Sequence, residues 1–119
     1  FTGLHKQYHQ PDDDTPLLAG VRASGERVGV DGMSEGTRDQ LFLALRLAAI
    51  ERHLAAHGAM PIVLDDVLVH FDDARARPAL HLLAGLAQRT QVLCFTHHAH
   101  LVTLAREEIP AQRLVVHTL

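Results

Sequence analysis

The stretch PIVLDDVLVHFDD, residues 61–73, decides how the chain is read. Its apolar run, Ile62-Val63-Leu64, ends in two adjacent acids, Asp65 and Asp66. Three consecutive apolar residues predict a short strand buried on both faces. Such a strand has no structural need for two carboxylates at its end. Like charges side by side repel, and desolvating each costs roughly several kcal/mol. The natural compensation is a cation or a proton to be taken up.

Working outward, Asp72 or Asp73 caps a helix through to about Gln88. Pro78 inside it predicts a kink or a later start. Residues 92–95 are a second apolar strand, 99–107 a helix ended before Pro110, and 114–116 a last strand. Upstream, 37–57 read as a long helix with a capping box at Thr37-x-x-Gln40 and a stop at Gly58. Between Leu41 and Ile50 it is apolar almost all round apart from Arg46, which predicts cover on several sides. Residues 1–32 are rich in strand and turn signals. PDDDTP, 11–16, is a turn or loop, and 17–22 with 27–30 form a hairpin around Ser24-Gly25-Glu26. The fold class is therefore α/β: a parallel β-α-β core from residue 61, with an N-terminal antiparallel β-hairpin. Ligands of parallel sheets bind beyond the carboxyl ends of the strands, where Asp65, Asp66, Thr96 and His97 fall.

Composition narrows the choices. The 119 residues suit one domain, and 47% apolar content with 4% aromatics calls for a core of Leu, Ala and Val. A net charge of -3 leaves no basic footprint for nucleic acid on the chain as a whole. The single Cys94 lies in an apolar run, which predicts a buried thiol in a reducing cytoplasm. No apolar stretch reaches the ~20 residues that span a membrane, so no membrane partner is expected. Phe1 opens mid-pattern, as in a piece of a longer chain. Ten histidines are scattered apart from His97, His98 and His100, with no HExxH and no Cys/His zinc spacing, so no structural metal is expected.

The strand ends carry the chemistry. Mg2+ takes oxygen ligands and keeps several waters, which suits Asp65. Asp66 can orient or deprotonate a water, and His97 can donate to a phosphate oxygen. Equally, the acids can cap a loop and His97 can be a surface residue. In GMSEGTRDQ, 32–40, Ser34 and Gly36 stand at the start of the long helix. Free N–H groups and the helix dipole make that end an anion site. The alternative is that Ser34 is simply an N-cap.

Taken in order, these elements resemble the C-terminal lobe of an ABC-type ATPase head. MSEGT, 33–37, is similar to the signature motif, PIVLDD to Walker B, VHFDD to the D-loop, and VLCFTHH, 92–98, to the switch strand. The fit is best to heads of the SMC and recombination-repair class, and SEGTRDQLFLALRLAAIE is especially like bacterial YhaN-like coiled-coil ATPases. The resemblance covers roughly residues 27–119. It implies a P-loop NTPase lobe, residues 1–119, with a hairpin region at 1–32 and the motifs at 33–119. It implies ATP and Mg2+ as cofactors, with Asp65 holding Mg2+ through water, Asp66 acting on the attacking water and His97 on the γ-phosphate. Ser34, Glu35 and Gly36 would face the nucleotide of an opposite head, and Asp72 would lie at the dimer seam. The implied partners are an N-terminal lobe with Walker A on the same or another chain, a second head in an ATP-sandwich dimer, DNA reached through the complete protein, and a nuclease subunit. The implied role is in DNA repair or chromosome maintenance in the cytoplasm.

This sequence departs from that pattern in four places. Asp66 stands where Glu is usual, shorter by one methylene. Glu35 replaces a Gly of the signature. His98 follows the switch histidine where Asp is common, so His97 and His98 both remain candidates. No GxxxxGK[ST] occurs, so the chain holds half of the machinery. The other readings are a non-catalytic interaction module that keeps the lobe shape, and a Mg2+-dependent phosphohydrolase. The signature helix and switch strand argue against the second of these.

Overall fold

The computed structural model of the chain describes residues 5–9 and 17–119. The loop predicted at 11–16 lies outside them. The chain divides into two compact units, Phe1–Arg38 and Asp39–Leu119.

In the first unit, β1 (His5–His9), β2 (Leu17–Val21) and β3 (Arg27–Gly29) form an antiparallel sheet in the order β1-β2-β3. The predicted hairpin is β2 and β3, in register at Ala19↔Gly29 and Val21↔Arg27. Its turn is closed by Gly25 N–H donating to the Arg22 carbonyl at 2.8 Å, and Gly25 sits at φ 85, where a side chain would be strained. A single 3-10 turn, Val30–Gly32, leads toward the long helix.

That helix, α1, is Glu35–His57. It begins before the predicted Thr37 because Ser34, not Thr37, is the cap. The Ser34 carbonyl accepts from Arg38 N–H at 2.9 Å, and its Oγ accepts from Thr37 N–H at 3.3 Å. The stop is as predicted: Gly58 adopts φ 90 and donates to the Leu54 carbonyl. The expected cover on several sides is not found. Within the second unit only Gln40, Leu43, Leu47 and Leu54 are buried, a single stripe, while Phe42 is exposed. Apolar composition states which surface can be buried, and the described chain covers one side of it.

The second unit continues with β4 (Ile62–Asp65), α2 (Asp73–Leu86), β5 (Val92–Phe95) and α3 (Ala99–Glu108). β4 and β5 pair in parallel from Ile62↔Val92 to Asp65↔Phe95. Asp72 caps α2 as predicted, its Oδ1 accepting from Arg75 N–H at 2.9 Å. Pro78 lies inside α2 without delaying its start. The core joins Ile62 and Leu64 of β4 to Ala76, Ala79, Leu80 and Leu83 of α2 and Leu104 of α3.

Three expectations are corrected here. β4 is not buried on both faces: Ile62 and Leu64 point inward, whereas Val63 is 63% exposed. Leu93 and Phe95, on the same face of β5, are also exposed. Cys94 is exposed rather than buried, because β5 pairs on one side only among the described residues. Residues 114–116 form no strand, since an apolar run becomes a strand only with a pairing neighbour.

A charged seam ties α2 to α3. Asp73 meets His100 at 2.7 Å, Arg77 binds Glu107 at 3.0 Å and also Glu108, and His81 meets Glu108 at 2.6 Å. Residues 73, 77 and 81 are one helical turn apart, so a single face of α2 carries the ladder. Arg77, then His81, hold the Glu108 carboxyl below the ordinary carboxylate range. A folded pKa below the unfolded one stabilises the fold above the unfolded value, and that stability is lost as pH falls through the folded value. Glu108→Gln should lower the urea midpoint near neutrality and flatten its decline below about pH 4. Equal acid limbs for both proteins would show the ladder to be inert. Leu104, 2% exposed, is the packing counterpart: Leu104→Ala should cost about 2–5 kcal/mol of unfolding free energy by the same measurement.

Candidate functional site

The parallel register places the end of β4 beside the end of β5. Asp65 is the last residue of β4, paired with Phe95 and exposed. Its side chain has no hydrogen-bond or ion-pair partner among the described residues. Asp66 follows at φ 48, a left-handed conformation that Asp tolerates better than most residues. This turn leaves its N–H donating to the Phe95 carbonyl at 2.9 Å.

The Asp66 carboxylate is held from β5. Thr96 Oγ1 donates to Oδ1 at 2.9 Å, and His97 Nδ1 approaches Oδ2 at 2.5 Å. The Thr96 hydroxyl also accepts from His98 N–H at 3.2 Å, at the start of α3. One threonine thus joins the acid to the turn that carries both histidines. The His97 and His98 rings lie 4.1 Å apart, tilted at 35°. His97 is 75% exposed, whereas the Nε2 of His98 is out of contact with solvent and has no hydrogen-bond partner among the described residues.

A catalytic base that keeps the water's proton calls for a raised pKa at Asp66. Instead its carboxyl lies below the ordinary range, first through the Thr96 hydrogen bond, then through the His97 charge and N–H and the His98 charge, with partial burial opposing them. An acid stabilised as a carboxylate is a weak base and a good hydrogen-bond acceptor. It can hold and orient a water more readily than it can keep that water's proton. The Cys94 thiol, on a residue exposed as a whole, is pushed up first by partial desolvation and then by the charges of Asp66 and Asp65.

The sequence-named residues separate into groups. Asp66 and His97 are brought into direct contact, and Asp65 adjoins them along the chain without joining the hydrogen bonds. Asp72 is occupied as the cap of α2 and pairs with Arg75 at 3.8 Å. Ser34 and Glu35 are exposed and Gly36 is buried at the start of α1. The Ser34 hydroxyl is shared with Thr37 Oγ1 at 2.8 Å. Thr96 was placed at the strand end by the sequence but given no role there; its bonds to Asp66 and to His98 N–H supply one. His98 was read as an alternative to His97, and the structure places both rings together.

No family model matches the chain. It is 35% identical over 95 residues to YhaN of Bacillus subtilis (strain 168), an uncharacterized protein, covering 78% of this chain and 9% of that one. Among solved structures it superposes on an SMC ATPase described for ATP-driven dimerization and DNA-stimulated activation, with a TM-score of 0.69 and 17% identity, over 87% of this chain and 63% of that one. It also superposes on the Smc head domain with an extended coiled coil bound to the C-terminal domain of ScpA, from Pyrococcus furiosus. That match has a TM-score of 0.56 and 17% identity, over 86% of this chain and 25% of that one. The chain therefore has the fold of the C-terminal lobe of an SMC-type ATPase head and spans only part of each of these proteins.

Thr96→Val should raise the Asp66 pKa toward the ordinary carboxylate value, read by carbon-13 NMR titration of the side-chain carboxyl. An unmoved titration would place the cause of the depression in the histidines.

Proposed function

We propose that this SMC-like lobe is half of an ATP-binding and ATP-hydrolysing head, completed by an N-terminal lobe that carries Walker A. The observation that carries the reading is the Asp66–Thr96–His97 constellation at adjacent parallel strand ends. Asp65 fits Mg2+ bound through water, because its exposed carboxylate has no partner among the described residues to give up. When bound, Mg2+ would supply charge neutralisation at the phosphates. Asp66 orients water by accepting its hydrogen bond. Phosphoryl transfer asks mainly for positioning and charge stabilisation, so a weak base suffices.

His97 Nδ1 lies 2.5 Å from Asp66 Oδ2, an ion pair when the ring is protonated. His97 is assigned to a phosphate oxygen of the nucleotide, which would compete with Asp66 for this exposed ring. Ser34, Glu35 and Gly36 are assigned to the nucleotide of an opposite head and Asp72 to the seam of that dimer. The exposed Val63, Leu93 and Phe95 support a sheet that the N-terminal lobe completes. The SMC structure described for DNA-stimulated activation supports a reading in which the complete protein reaches DNA; a cytoplasmic role in repair or chromosome maintenance, with a nuclease subunit as a further partner, is part of the same proposal.

Reconstitution with a Walker A lobe tests the assignment. Asp65→Ala should abolish Mg2+-dependent turnover and weaken Mg-ATP binding. Asp66→Asn should spare ATP binding, lower turnover by about 10²-fold or more, and trap the ATP-bound dimer on sizing columns. Full turnover in Asp66→Asn would reduce the lobe to an interaction module. Ser34→Arg should block ATP-dependent dimerisation and leave each head's nucleotide affinity unchanged. A fall in monomer affinity would refute the trans assignment.

A further inference from the structure

Asp66, His97 and His98 each offer a donor atom within 4.8 Å of the others. We propose that this cluster binds a borderline divalent transition-metal cation of the Zn2+ class. It deepens the ATPase reading in one respect, on which only its consequence rests: the cation would occupy the carboxylate assigned to water and so hold turnover down. The binding itself stands on three side chains.

The donor set decides the class of cation. Two imidazoles and one carboxylate suit Zn2+ or Co2+, whereas Mg2+ prefers oxygen and keeps its waters. Zinc bonds of about 2.0–2.2 Å place tetrahedral donors roughly 3.3–3.6 Å apart, so His97 Nδ1 and Asp66 Oδ2, 2.5 Å apart, must open while the wider separations in the cluster close. The ring of His97, 75% exposed, can rotate to do so. Asp66 is oriented for the role: Thr96 holds Oδ1 and leaves Oδ2 toward the histidines, the outer-shell support that metal carboxylates use.

A second observation points the same way. The His97 and His98 rings sit together, 4.1 Å apart, at the bend that follows β5. The Nε2 of His98 is buried with no partner among the described residues, and buried polar atoms ordinarily have one. The proton balance is simple. Each donor nitrogen must be unprotonated: a neutral ring binds through its bare nitrogen with no net release, and an imidazolium loses one proton to solvent.

A competing pair exists on α1, where His53 and His57 stack at 4.5 Å one turn apart. Titration of the full chain with Co2+, followed by its visible absorption and by Zn2+ displacement, distinguishes the two. Circular dichroism confirms that each variant is folded. One equivalent should bind. His98→Ala, His98→Gln and Asp66→Asn should each weaken binding at least about tenfold, and the double variant His53→Ala/His57→Ala should leave it unchanged. Excess Mg2+ should not displace the ion. The proposal is overturned if no stoichiometric signal appears, if the signal survives both His98 variants, or if it is lost with His53 and His57. If a variant misfolds, the His98 imidazole resonances of the unaltered chain decide: they shift on adding one equivalent of Zn2+, or the proposal falls. No nucleotide is present, so an inactive reconstituted head would leave this measurement standing.

Discussion

The hydrogen bond from Asp66 N–H to the Phe95 carbonyl, 2.9 Å, is the constraint on which the site depends. It carries the parallel pairing one step past Asp65↔Phe95. With it in place, the left-handed turn at Asp66 presents its carboxylate to Thr96 and His97 instead of continuing the strand. A slip of one residue between β4 and β5 would break this match. It would also exchange the inward pair, Ile62 and Leu64, for Val63 and Asp65. Register, core and site are therefore one specification.

The strain at Asp66 persists because its surroundings over-determine it. Below it, β4 is anchored by Ile62 N–H bonding the Gln91 carbonyl at 2.9 Å. Behind it, α2 and α3 pack through Ala76, Ala79, Leu83 and Leu104, and the Asp73–His100 and Arg77–Glu107–Glu108 contacts hold the two helices in step. Ala76 and Ala79 are fully buried, which lets α2 approach the strands closely. The start of α3 follows directly from β5, so the same packing positions His97 and His98.

Local chemistry was legible in the sequence, and missing neighbours were not. The bounds of β4, β5 and α3, the Asp72 cap and the Gly58 stop all follow from residue type at a fixed offset. The convergence of Asp66 and His97 follows from two apolar runs that must pair in parallel. The failures share one cause. The runs at 62–64, 41–50 and 114–116 state that surface can be buried, but only a partner element decides whether it is. Cys94 belongs to the same class, since its strand is paired on one side. The start of α1 is a different case: Ser34 and Thr37 were both offered as caps, and only the backbone turn chooses Ser34. The lowered pKa of Asp66 was not legible, because adjacency to Asp65 was visible and the Thr96 hydroxyl across the sheet was not.

The substitution of Asp for the usual Glu at position 66 takes on meaning in this geometry. A Glu side chain is longer by one methylene and has one more rotatable bond. Its carboxylate would pass beyond the Thr96 hydroxyl, which is fixed at 2.9 Å from Asp66 Oδ1. The shorter acid is instead held between a threonine and a histidine, stabilised in its charged form and reduced in reach. Lower basicity and tighter placement come from the same bonds. A site built this way favours a held water, or a held cation, over an acid that swings between partners. The buried Nε2 of His98 beside it is a polar atom with no hydrogen-bond partner among the described residues.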